Sequence, residues 1–110
     1  MFLTIRHLPK EELRNMRGAI DSECLEIARE VYKNNGYIRV ADIETNERDL
    51  DKALELAFAY TNSVETPWYE SKNIDVTQES KNGCRSTSVG DIVQVNNRTF
   101  VVSSYGFEEL

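Results

Sequence analysis

The chain is short of the residues that carry most enzyme chemistry. Its 110 residues include one histidine, His7, and two cysteines, Cys24 and Cys84. One histidine and two distant thiols give no metal-ligand spacing, so no metal is expected. Neither a GxxxxGK[ST] nor a GxGxxG run occurs, which excludes the glycine-rich phosphate loops, and no cofactor is expected. Long apolar runs are missing too: nothing approaches the ~20 residues of a membrane-spanning helix. The apolar start, Met1 to Ile5, is too short for a secretory leader and acidic residues soon follow. The cytoplasm is the expected location, with no membrane partner. There are no repeats and no low-complexity tract.

Positive charge is also scarce. The net charge is -6, and its placement is uneven: residues 1–34 balance, residues 35–70 carry -5 and residues 71–110 carry -1. No Lys/Arg cluster stands out along the chain, so a nucleic-acid backbone is a disfavoured partner. The acidic surplus between Asp42 and Glu70 is expected to be a solvated helix face; the sharper alternative is a surface for a basic partner.

The length suits a single domain, residues 1–110. Phe2 to Ile5 predicts a short strand, and Pro9 suits the first turn of a helix. Leu13, Met16, Ile20, Cys24, Ile27 and Val31 follow at spacings of three and four, one apolar stripe on a long helix. Gly18 and Asp21-Ser22 weaken it and predict a break near residue 18. Asn34-Asn35-Gly36 closes it. Tyr37 to Glu44 alternates as a strand. A second helix starts at Asn46 to Asp49, buries Leu50, Ala53, Leu54, Ala57 and Phe58, and ends at Thr61-Asn62. From Ser63 to Cys84 the pattern lapses into a loop anchored by Trp68 and Tyr69, with Gln78 to Gly83 polar and expected to be mobile.

The clearest element is a hairpin. Asn96-Asn97 is a two-residue turn that accepts positive φ, which sets Val95 against Arg98, Val93 against Phe100 and Asp91 against Val102. Val93, Val95, Phe100 and Val102 then share the face expected to form the core. The fold class is α+β: a small antiparallel sheet with a C-terminal β-hairpin, packed against two α-helices on one side.

Ahead of the hairpin lies Arg85-Ser86-Thr87-Ser88-Val89-Gly90-Asp91. A serine or cysteine nucleophile there needs a base and an orienting group, and no spacing ties His7 to Ser86 or Cys84. The short hydroxyls are better explained as partners of backbone N–H groups, with Gly90 permitting close approach. Arg85 has two uses: an anion fork with Ser86 and Ser88, or an internal ion pair with Asp91 or Glu108, which is the expected one. Trp68 and Tyr69 are candidates for an interface anchor, though burial is the simpler fate.

The order Arg85 to Val93, a hairpin, then Ser104-Tyr105-Gly106-Phe107-Glu108-Glu109-Leu110 resembles the YodL-like module. Val40-Ala41-Asp42 to Thr61-Asn62-Ser63, followed by Pro67-Trp68-Tyr69, looks like the strand, helix and tryptophan loop that precede this motif in phage versions. The resemblance covers about residues 37–110. It implies a small accessory protein of bacteriophages, plasmids or integrated elements, without an established active site to carry over.

The leading expectation is a non-enzymatic mobile-element protein that binds a host or phage protein, with Arg85, Ser86, Ser88, Trp68 and Tyr69 as the contact residues. A single-strand nucleic-acid binder using Arg85, Arg98, Trp68 and Tyr69 is the alternative. A small enzyme using Cys84 or Ser86 is the third. A terminal hairpin leaves an edge strand, which keeps a homodimer open.

Overall fold

A computed structural model describes residues 1–110. One antiparallel sheet runs through it, with six strands in the order β3-β2-β1-β4-β5-β6. The strands are β1 (Phe2–His7), β2 (Ile38–Glu44), β3 (Asp75–Val76), β4 (Ile92–Val95), β5 (Arg98–Ser103) and β6 (Gly106–Glu109). Three helices complete it: α1 (Lys10–Met16), α2 (Asp21–Lys33) and α3 (Leu50–Tyr60). The α+β class is therefore as the sequence predicts. No helix is long and apolar enough to cross a membrane.

The hairpin register holds: Val95 faces Arg98 and Val93 faces Phe100. Asn96 and Asn97 take φ of 50° and 65°, as a two-residue turn with right-handed strand twist requires. The second helix also follows its sequence signals. The Asp49 carboxylate caps it by accepting from the Lys52 N–H at 3.1 Å, and Ala53, Leu54 and Ala57 face inward.

Helices cover both faces of the sheet, not one. The α3 residues Ala53, Leu54 and Ala57 pack with Leu3, Ile5, Val93, Val95 and Phe100. On the other face Met16 of α1 and Cys24, Ala28 and Val31 of α2 pack with Ile92 and Val101. Both sides of the central strands are thus apolar, and alternation alone could not reveal the second layer.

The expected long helix divides at Arg17 to Ile20, where Gly18 takes φ of +78°. Ile20, counted on the apolar stripe, is 64% exposed because it sits at that corner. The first strand runs two residues further than Ile5, as Arg6 and His7 pair with Arg39 and Ile38 across a bulge. Residues 63–84 are not one loop. They contain a short 3-10 turn at Trp68–Glu70, the two-residue strand β3 against Ala41 and Asp42, and a second turn at Ser80–Asn82.

Gly90 is where the chain entering β4 meets the α1 side of the core. Its φ is +95°, and a Cβ there would lie 2.7 Å from Leu8 Cδ1 and 2.8 Å from Met16 Cε. Gly90→Ala should lower stability by about 2–4 kcal/mol, through backbone strain at positive φ together with overpacking against the buried Leu8 and Met16 side chains. Urea unfolding of the variant checks this; an unchanged midpoint would show that the position tolerates a side chain.

Candidate functional site

β1 leaves the sheet at His7, so the Leu8 N–H has no strand partner just before Pro9. The chain supplies one from 83 positions away: Asp91 Oδ1 accepts from Leu8 N at 2.8 Å. Asp91 stands at the entrance of β4 and is fully buried. Arg85 closes on it with both ends of its fork, Nη1 to Oδ2 at 2.6 Å and Nη2 to Oδ1 at 2.7 Å. The Ser88 N–H donates to Oδ2 at 2.8 Å. Four donors therefore satisfy one buried carboxylate, which is what makes its burial tolerable.

This ion pair is the internal use expected for Arg85. Its remaining Nη hydrogens go to the carbonyls of Ser86 and Leu8, at 3.0 and 3.2 Å. The Arg85–Ser86–Ser88 anion fork expected as one option does not form, because Asp91 already occupies it. Ser86 Oγ accepts from the Ser63 N–H at 2.9 Å, the loop-fixing role expected for a short hydroxyl. Trp68 is also no exposed anchor. It is 3% exposed, donates from Nε1 to the Arg85 carbonyl at 2.9 Å, and meets Tyr69 edge-on, with Tyr69 half-buried. Arg98 pairs with Glu109 at 2.7 Å and lies over Phe100. The four residues named for nucleic-acid binding thus make no joint stacking face.

The structure instead joins residues that the sequence kept apart. His7 Nε2 lies 2.8 Å from Thr87 Oγ1, and His7 Nδ1 lies 3.6 Å from Cys84 Sγ. The proton positions follow from the chain of hydroxyls. Thr61 Oγ1 donates to the Ala57 carbonyl at 2.8 Å, so it must accept from Thr87 Oγ1, also at 2.8 Å. Thr87 has spent its one proton and accepts from His7 Nε2. His7 is therefore the Nε2–H tautomer, with Nδ1 left as the acceptor for the Cys84 thiol. The Thr87 N–H to Thr61 carbonyl bond, 2.9 Å, fixes the same loop to the end of α3.

Burial dominates the electrostatics here. His7 is pushed down to about 4 by desolvation, against the pull of Asp91 and with a further push from Arg85. Desolvation also raises the Cys84 thiol above its ordinary value, although Ser80 and Arg85 oppose that. The pair rests as neutral thiol and neutral imidazole, not as the thiolate–imidazolium of an activated nucleophile.

Cys84 and His7 form the floor of an open cleft of about 800 Å³. Leu13, Ile38 and Val40 give it apolar walls, and Lys10, Arg14 and Arg17 line its rim. These three cations sit at i, i+4 and i+7, so α1 and the residue after it put them on one side. None of the ion pairs in the molecule includes them, and Glu79 is the only carboxylate in the lining. The cationic cluster is the feature that sequence reading missed. Its signal was present as a helical spacing, hidden by six acidic residues that balance the first 34 positions.

Comparison with protein-family models, curated proteins and solved structures finds no match to this chain.

The histidine makes a pH prediction. Unfolded, it binds a proton below about 6.5; folded, only below about 4. The unfolded state binds more protons between those values, so stability should be fully present above 6.5 and fall as pH drops towards 4, by roughly 3 kcal/mol. NMR titration of the sole imidazole checks the cause: the folded midpoint should lie near 4, whereas a midpoint at 6.5 or above would contradict this account.

Proposed function

We propose that this chain is a non-enzymatic accessory protein of a bacteriophage or other mobile element, which binds an acidic segment of a host or phage protein in the α1 cleft. One observation carries the reading: three cations without internal partners line an apolar-walled cleft in a protein whose net charge is -6. Unpaired cations beside exposed apolar surface favour a ligand that brings both carboxylates and a few apolar contacts. The resting neutral state of Cys84 and His7 supports binding over catalysis. The mobile-element origin draws on the resemblance of residues 37–110 to the YodL-like module, and the host cytoplasm is the location proposed with it.

A peptide is favoured over nucleic acid by the rest of the surface. Away from the cleft the acidic surplus would repel a phosphate backbone that runs past the three cations.

A fluorescein-labelled peptide of alternating glutamate and leucine tests this by anisotropy at moderate salt. The wild-type chain should bind it, and Arg14→Glu with Arg17→Glu should weaken binding at least about tenfold, as two like-charge reversals at an interface imply. Tighter binding of labelled oligothymidylate than of the peptide would overturn the proposal. So would a peptide affinity indifferent to both substitutions.

A further inference from the structure

A second basic groove lies on the α2 side of the sheet. Arg6 of β1 and Gln94 of β4 alternate with the core residues Ile5, Val93 and Val95, so they point to that side. The α2 helix ends at Lys33, and beyond it a groove of about 420 Å³ opens between Arg6, Lys33, Tyr32 and Gln94. Arg6 is half-buried there and is held from behind: its Nε donates to Gln94 Oε1 at 2.6 Å. Gln94 is itself oriented, since its Nε2 donates to Tyr32 Oη and Thr99 Oγ1, both at 3.4 Å. Yet neither Nη of Arg6 has a partner in the molecule, and no ion pair includes Arg6 or Lys33. Tyr32 accepts from Thr99 Oγ1 at 3.3 Å, so its own hydroxyl hydrogen is unspent. The guanidinium is fixed in place while the end that would grip an anion is left open.

We infer that this groove binds a nucleoside monophosphate, with the phosphate on the Arg6 fork and Lys33 and the ring lying towards Phe2. Arg6 Nη, Lys33 Nζ and the Tyr32 hydroxyl are all donors, which suits a ligand group made only of acceptors. Two cations favour a phosphate monoester over a carboxylate, because its charge near -2 neutralises both and its three oxygens can meet all three donors. An adjoining groove of about 370 Å³ shares Tyr32 and Gln94 and is bordered by the exposed Phe2 ring, which offers a surface for a flat apolar group. No carboxylate lines either groove, in a chain whose net charge is -6. That acidic remainder suits one phosphate and not a strand of them. Neither groove shares a lining residue with the α1 cleft, so the inference does not rest on the peptide proposed there.

Adenosine monophosphate, adenosine and inorganic phosphate, each titrated into the isotope-labelled chain and followed by NMR, separate the two halves of the ligand. The monophosphate should shift the Arg6 guanidinium and the amides of Tyr32, Lys33 and Gln94. It should bind at least about tenfold more tightly than inorganic phosphate, and adenosine should leave these signals in place. Arg6→Lys keeps the charge but loses the fork, and should weaken the monophosphate about tenfold. Gln94→Glu keeps an acceptor for Nε while adding a carboxylate, and should abolish binding. Lys33→Gln, at an exposed position on the last turn of α2, should weaken binding several-fold without touching the sheet. Arg14→Glu with Arg17→Glu should leave the monophosphate affinity unchanged, which sets this site apart from the peptide cleft. Adenosine or inorganic phosphate binding as well as the monophosphate would overturn the inference, as would an affinity indifferent to Arg6→Lys and Lys33→Gln.

Discussion

The buried carboxylate of Asp91 is the interaction on which the rest of the molecule depends. It joins two stretches that lie far apart in the sequence: the end of β1 at Leu8, and the segment from Arg85 through Ser88 that leads into β4. A buried charge is unfavourable unless every lone pair is used, and here four donors use them. Removing Arg85 would leave that charge uncompensated, a loss of about 3–5 kcal/mol for pairs of this kind. The pair therefore fixes where the chain turns out of β1, which is also where His7 and Cys84 are held.

Function, on this account, grows from the consequences of that anchor. With Arg85 committed to Asp91, the residues that seemed most able to contact a partner are used internally. Trp68 is locked to the Arg85 carbonyl, Ser86 to the backbone of Ser63. What stays free is α1, which leaves the sheet just after the anchored Leu8 and carries Lys10 and Arg14 out to the solvent edge of the cleft. The inward side of the same helix buries Met16 against Gly90. One short helix thus closes the core with one face and faces the cleft with the other.

Local chemistry made much of this legible in the sequence. The Asn96-Asn97 turn fixed the register of β4 and β5, Asp49 marked the start of α3, and Gly18 marked the break between α1 and α2. Arg85 with Asp91 was one of two internal pairs that charge and spacing allowed. The parts that could not be read are those set by long-range placement. Ile92 and Val101 alternate away from the predicted core face, yet α2 covers them. His7 meets Thr87 and Cys84 only because β1 lies beside β4 in the sheet. Lys10, Arg14 and Arg17 look neutral beside Glu11, Glu12 and Glu23 until the helix separates their faces.

The most direct test of the central claim is residue-level mapping of an acidic ligand on the intact chain. Amide chemical shifts of the isotope-labelled protein, titrated with the glutamate–leucine peptide, should move chiefly at Leu8 to Arg17 and at Glu79 to Arg85, and lose that response as salt rises. Shifts concentrated instead on the acidic face of α3 or along the β6 edge would contradict the account.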